Sequence, residues 1–312
     1  MCYAIIRSMK PSFLTLGDTI GIVAPSRPVH SLRDNIQKSA QIFKDLGYRV
    51  KFGKNFEKQR YYSAGTPEER AEDIHSMFID KEVKAIVCAT GGSSANQLLP
   101  LLDLDLIRKH PKIFLGYSDI TVLLLSFYAK TGLMTFHGPD FSDFCTVDSN
   151  AREFLIDLLS GRKEAYLYPS TMTVIKPGSA TGKLLGGNIT LINSLLGSMY
   201  SPEYGRAVLF WEEVGESPAM LDFKLNELKL SGSFENLSAM IVGNLSECID
   251  KKHPEDNRPI EDIILETTKE YDFPIVQVDY FGHDVSSFYT FPIGAEISLD
   301  TEKRELKLIG RV

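Results

Sequence analysis

The chain has little that would tie it together covalently or around a metal. Cysteine occurs four times in 312 residues, at positions 2, 88, 145 and 248. No two form a Cys-x-x-Cys pair, and the pattern fits a reducing cytosol better than a disulfide scaffold. Cys88 sits inside an apolar run, where a thiol reads as a small buried hydrophobe. There is no His-Glu-x-x-His, no Cys/His cluster and no histidine pair at ligand spacing, so neither metal nor cofactor is expected. No run approaches the ~18 apolar residues of a membrane span. The net charge of −7 leaves no basic footprint for nucleic acid or an anionic membrane. The first residues, Met1 to Phe13, hold a short apolar patch. They lack the basic region before it and the small-residue cleavage site after it that a signal peptide needs. Met9 offers a second start, so residues 1–8 read as a loose extension, and the cytoplasm is the expected compartment.

What is present is ordinary globular material. Apolar residues make up 43% and charged residues 24% of the chain, enough to bury a core without staples. The length suits two domains. Thr19 to Ser26 reads as a buried strand and turn, followed by a helix carrying Ile36, Ala40, Phe43 and Leu46 and stopped by Gly47. Tyr48 to Phe52 alternates like a strand. Thr66-Pro67-Glu68-Glu69 has the composition of a capping box with proline at the first helical position. Val83 to Cys88 and Ile113 to Leu115 read as strands. Helices are expected through Leu98, Leu99 and Leu102 and from Ile120 to Ala129. Alternation of this kind predicts βαβ units and a parallel sheet over residues 1–168. Beyond that the texture changes. Strands are expected at 171–178, 207–211 and 239–242, with helices near 188–197, 218–230 and 258–270. A final hairpin is expected from Phe291 to Leu308. A smaller α+β domain is therefore expected over 169–312.

In parallel sheets functional groups gather where strands end and helices begin. Gly116-Tyr117-Ser118-Asp119 lies at such a turn. A serine there has an exposed hydroxyl, a helix N-terminus beside it, and the next amide available for an oxyanion. On this motif alone the N-cap serine is the favoured reading, and Ile120 stands where a second glycine of Gly-x-Ser-x-Gly would be. Gly91-Gly92-Ser93-Ser94 offers a second amide or an ordinary turn; it lacks the lysine of a P-loop. His283, in a glycine-flanked turn after the apolar strand Pro274 to Val278, is a candidate base. The other contender, His137 in Phe136-His137-Gly138-Pro139, reads as a histidine bonded into a turn. His30, His75, His110 and His253 read as surface residues. Glu212 and Glu213 follow the apolar strand Ala207 to Trp211, where a carboxylate can orient a histidine or form part of a solvated acidic loop with Glu216.

Together these motifs resemble the LD-carboxypeptidase family of serine peptidases. The resemblance runs from Gly17-Asp18-Thr19-Ile20-Gly21 and Ala24-Pro25-Ser26 nearly to the end of the chain. It passes through Pro67 to Asp73, Gly116 to Thr121, Phe136 to Pro139, Leu185-Gly186-Gly187-Asn188, Leu209 to Glu213, Gly282-His283 and Pro292-Ile293-Gly294. It implies Ser118 as nucleophile, His283 as base and then acid, Glu212 as the acid of the triad, and Glu213 as a less essential neighbour. It implies an oxyanion hole from the amides of Asp119 and Gly92. It also implies an N-terminal α/β domain, a smaller C-terminal domain with the site between them, and a homodimer. Cell-wall-recycling members usually carry Arg-Gly-Gly-Tyr-Gly at the glycine turn. Thr90-Gly91-Gly92-Ser93-Ser94-Ala95-Asn96 is closer to the microcin C immunity branch, some members of which stack adenine on a tryptophan. The single tryptophan here, Trp211, lies in the strand before Glu212. The expected substrate is a small peptide, a muropeptide or a peptidyl-nucleotide. The alternative from another class is a non-catalytic two-domain protein holding a small ligand.

Overall fold

The computed structural model describes residues 8–312; the N-terminal apolar patch, and most of the extension expected over residues 1–8, lies outside them. The alternation read from the sequence becomes β1 (Thr19–Val23), α1 (Arg33–Asp45), β2 (Arg49–Phe52), α2 (Pro67–Ile79), β3 (Val83–Cys88), α3 (Leu104–Lys109), β4 (Ile113–Gly116), α4 (Thr121–Thr131), β5 (Thr135–His137) and α5 (Ser149–Leu159). Both halves of the capping box form: the Thr66 hydroxyl accepts from the Glu69 amide, and the Glu69 carboxylate accepts from the Thr66 amide. The helix expected around Leu98 is instead a 3-10 segment, Ala95–Leu101, with Pro100 inside it. Proline has no N–H to donate and its ring crowds the preceding turn, so an α-helix does not propagate there.

The remaining elements are β6 (Tyr166–Leu167), β7 (Thr173–Lys176), β8 (Ser179–Asn188), α6 (Ile189–Leu195), β9 (Ala207–Val214), α7 (Pro218–Leu230), β10 (Ala239–Ser246), α8 (Ile260–Thr267), β11 (Ile275–Gln277), β12 (Phe291–Ile293), β13 (Glu296–Asp300) and β14 (Glu305–Leu308). Two sheets result. The first has the order β12-β5-β4-β3-β1-β2 and the second β6-β14-β13-β8-β9-β10-β11-β7. β2, β1, β3, β4 and β5 run parallel. So do β8, β9, β10 and β11 at the centre of the second sheet. The expected final hairpin is β13 with β14 alone. β12 leaves it and pairs antiparallel with β5 in the first sheet, Phe291 opposite His137. Sheet membership therefore does not follow one cut in the chain, and Tyr166–Leu167 already pairs with β14.

α4 is buried along nearly its whole length. It packs on β4 and β5 of its own sheet and on α6 and β8 of the other. The Thr121 hydroxyl, at the first residue of α4, accepts from the Asn188 amide at the end of β8 (3.2 Å). The two sheets thus meet at the N-terminus of the helix that follows Ser118, and both point the carboxyl ends of their parallel strands at that place.

Candidate active site

Ser118 stands between β4 and α4 with φ of +60°. A non-glycine residue held there is strained by of order 1 kcal/mol and persists only where its surroundings over-determine it. The surroundings do so. The buried Asp119 carboxylate accepts from the Ser26 hydroxyl (2.5 Å) and from the amides of Ser94 (2.7 Å) and Ala95 (2.8 Å). One side chain thereby joins the turns after β1, β3 and β4. Arg70 of α2, also buried, donates to the carbonyls of Pro25 (2.7 Å) and Ser94 (2.9 Å) from the other side. A methyl group on Gly91 would stand 2.9 Å from the Ser118 Oγ, so only glycine lets this turn approach the hydroxyl.

His283 Nε2 lies 3.0 Å from Ser118 Oγ, and its Nδ1 lies 2.6 Å from Glu212 Oε2, which also accepts from the His283 amide (3.3 Å). Gly282 has φ of +111°, and a Cβ there would come within 2.9 Å of the Glu212 Cβ, so the histidine turn closes on the carboxylate only with glycine. Glu212 and Glu213 are successive residues of β9 and point to opposite faces, as strand geometry requires. Glu213 is also buried, but it accepts from Asn188 Nδ2 (3.0 Å), the Thr190 amide (3.2 Å) and the Thr190 hydroxyl at the start of α6. The alternative of a solvated acidic loop is thus not found for Glu212 and Glu213; both carboxylates are interior and hydrogen-bonded. Burial pulls the His283 pKa down. The Glu212 hydrogen bond and charge, with Glu213 and Asp284 beyond, more than offset this and leave it raised. A charged form favoured in this way suits a base that must hold a proton midway through a reaction.

Gly92 lines the pocket beside Ser118, and the Asp119 amide follows the serine directly at the start of the 3-10 turn Ser118–Ile120. The pocket around Ser118 and His283 has a volume of about 530 Å³. Its wall holds residues that sequence reasoning passed over: Arg27, Tyr117, Asp140 and Asp143. Asp140 follows the noted Phe136 to Pro139 motif at the end of a parallel strand, which is the signal that points to it.

His137 is a correction. It is not bonded into a turn but buried in β5, and neither ring nitrogen has a hydrogen-bond partner among the described residues. Phe210, Phe281, Phe288 and Tyr117 surround its ring. Burial, with His283 nearby, pushes its pKa down to about 3, so it is neutral. His75 is half-buried rather than a surface residue, and its Nε2 accepts from the Asp103 amide. Trp211 is fully buried and offers no face to a base. Among the described residues, His253, Glu255 and Asp256 bring ligand-capable atoms within 4.8 Å of one another. All three are exposed, and none lines the pocket.

Two family descriptions match the chain: the LD-carboxypeptidase N-terminal domain over residues 20–138 and the LD-carboxypeptidase C-terminal domain over 181–299. A probable murein peptide carboxypeptidase from Bacillus subtilis (strain 168) is 34% identical, over 95% of this chain and 92% of its own length. A solved MccF-like protein from Bacillus anthracis superposes with a TM-score of 0.88 at 28% identity, covering 97% of this chain and all of that one. The microcin C7 self-immunity protein MccF in complex with aspartyl sulfamoyl adenosine gives 0.87 at 26% identity, covering 96% of this chain and 98% of that one.

Proposed function

Because this chain belongs to the LD-carboxypeptidase family of serine peptidases, we propose that it hydrolyses an amide bond near a free carboxyl terminus with Ser118, His283 and Glu212 as its catalytic triad. The Ser118 Oγ attacks the carbonyl carbon while His283 Nε2 takes its proton. The amides of Asp119 and Gly92 receive the negative oxygen. His283 then returns the proton to the leaving nitrogen, and water opens the acyl-enzyme with His283 again as base. Glu212 holds the imidazole in the tautomer that leaves Nε2 free to accept, and favours the imidazolium.

The observation that supports this reading is the continuous line Ser118 Oγ, His283 Nε2, His283 Nδ1, Glu212 Oε2, at 3.0 and 2.6 Å, drawn from both sheets onto a strained serine. A pure binding protein has no use for that strain. The substrate belongs with those named for the relatives: a murein peptide, or an aminoacyl-nucleotide of the kind bound to MccF. With the only tryptophan buried, a nucleotide substrate would have to be held without tryptophan stacking. The cytoplasm and a homodimer are part of the same proposal; among the described residues no helix is long and apolar enough to cross a membrane. Fractionation and light scattering check these two points. The decisive assay compares cleavage of an L,D-tetrapeptide with that of an aminoacyl sulfamoyl adenylate, with labelling of Ser118 by a fluorophosphonate alongside. Labelling with turnover of either substrate is expected; no labelling and no turnover overturns the reading in favour of a binder.

A further inference from the structure

His283 stands in the long loop between β11 and β12, and both its neighbours take positive φ, Gly282 at +111° and Asp284 at +58°. A non-glycine residue keeps that conformation only where its surroundings impose it. A base on such a loop keeps its aim only if the backbone is tied as well as the ring. Asp148, before α5, ties the far end. Its amide donates to the Ser286 carbonyl (2.9 Å), and its carboxylate accepts from the Ser287 hydroxyl. The near end is tied by β10. Val242 pairs with Trp211 but Leu245 with Glu213, so β10 uses three residues where β9 uses two. A bulge of this kind re-aims the side chains that follow it. The Asn244 backbone amide donates to the Phe281 carbonyl (3.0 Å), the Asn244 Nδ2 to the His283 carbonyl (2.7 Å), and the Ser246 hydroxyl to the Asp284 carboxylate. A Cβ on Gly243 would stand 2.5 Å from the buried Phe281 ring, so glycine lets the strand lie this close to the histidine turn.

We infer that Asn244 is a positioning residue, which through the His283 carbonyl sets the imidazole in line between Ser118 and Glu212. The inference rests on the hydrolase reading above. Glu212 accepts from the ring and from the amide of His283, and Asn244 takes the carbonyl, so the residue is held at three points. Freeing the carbonyl lets the peptide turn and carries the ring off the line. A displacement of about 1 Å in a reacting geometry costs on the order of a hundredfold in rate. Asn244 lies outside the pocket wall, so its effect belongs to kcat rather than to KM. The role needs an amide, because an aspartate has the same shape but no proton to donate at neutral pH.

The test makes Asn244→Ala and the isosteric Asn244→Asp, each alone and combined with Glu212→Gln. Turnover is measured with the L,D-tetrapeptide and the aminoacyl sulfamoyl adenylate. The proton on His283 Nδ1 is followed by NMR, where its bond to Glu212 places it downfield. Each single substitution is expected to lower kcat by about ten- to a hundredfold with KM within about twofold, and to remove the downfield signal. With Glu212→Gln in place the same substitutions should cost less than about threefold, because the alignment they disturb is already lost. Circular dichroism checks the fold, and Asn244→Asp keeps the side-chain shape should the alanine variant fail to fold. Equal losses with and without Glu212→Gln, or a change confined to KM, overturn the inference and leave the hydrolase reading standing. If the wild-type protein cleaves neither substrate, the hydrolase reading fails and the NMR signal decides alone. A signal unchanged in both variants then overturns the aiming of the ring by Asn244, and its loss upholds it.

Discussion

In the proposed mechanism single side chains carry most of the chemistry, and two neighbours in sequence are given different parts. Glu212 faces His283, so Glu212→Gln should lower kcat by about 10²–10⁴ with little change in KM. Its hydrogen bond and charge also raise the His283 pKa. A base works only when neutral, so the acid limb of the kcat/KM profile should lie above the ordinary histidine range, and Glu212→Gln should move it to lower pH. Glu213 instead holds Asn188 and Thr190. Glu213→Gln should keep most of kcat and lose stability, read as a lower urea midpoint at unchanged slope. The reverse pattern would make Glu213 the acid of the triad. Ser118→Ala and His283→Ala should each remove nearly all turnover, and the double variant should be no worse, since the residues act as a unit; additive losses would show that they do not. Asp140 adds a stability signature. A carboxyl whose folded pKa is raised to about 8 binds its proton more tightly in the native chain. Its contribution is therefore greatest below pH 4 and is lost as pH climbs to 8. Asp140→Asn should narrow the difference in denaturation midpoint between pH 5 and pH 8.5; an unchanged difference would mean that the folded carboxyl titrates normally.

Elements differ in how far their own residues specify them. The capping box of α2 was legible because all of its partners lie within four residues: Thr66, Pro67 and Glu69 state it completely. Thr66→Ala should accordingly cost about 1 kcal/mol in chemical denaturation. The nucleophile turn was legible as a place, strand end against helix start, but not as a strained one. The φ of Ser118 is imposed by Asp119, Ser26, Ser94 and Ala95, which lie up to 93 residues apart. The 3-10 turn at Ala95–Leu101 was misread because apolar spacing outweighed one proline. β12 was misassigned for a different reason. Phe-Pro-Ile is apolar on both faces, so nothing local distinguishes a third strand of a hairpin from an edge strand beside β5. His137 likewise looked like a turn residue until that edge strand buried it. At this scale the join between the sheets can be tested. Thr121→Val removes the acceptor for the Asn188 amide and should lower kcat more than it raises KM, because it loosens α4 against β8 without touching the pocket; a change confined to KM would argue against that role.

The whole molecule is organised so that neither sheet holds a complete site. Ser118 and both proposed oxyanion amides follow strands of the first sheet, Glu212 lies in β9 of the second, and His283 stands in the loop that leads from β11 of the second sheet to β12 of the first. Residues 1–168 and 169–312 produced separately should each be inactive, and the first should expose β5 as an unpaired edge, a route to aggregation. Activity from either piece alone would refute a shared site. Prolonged treatment with EDTA should leave the activity of the whole chain unchanged, since every step of the proposed mechanism runs through Ser118, His283, Glu212 and two amides; a loss restored by zinc would demand a different mechanism. The crossing of β12 back to β5 has a further consequence, one of timing. Between His137 and Phe291 lie about 150 residues, roughly 8–30 s of synthesis on a ribosome. Throughout that interval the serine turn exists without its base and the first sheet without its outer strand. The residues that close the sheet come only a few positions after His283, so the strand that completes the scaffold and the histidine proposed to arm the serine emerge together. Under the proposed mechanism a nascent chain is thus kept from cleaving anything until nearly all of it has been made.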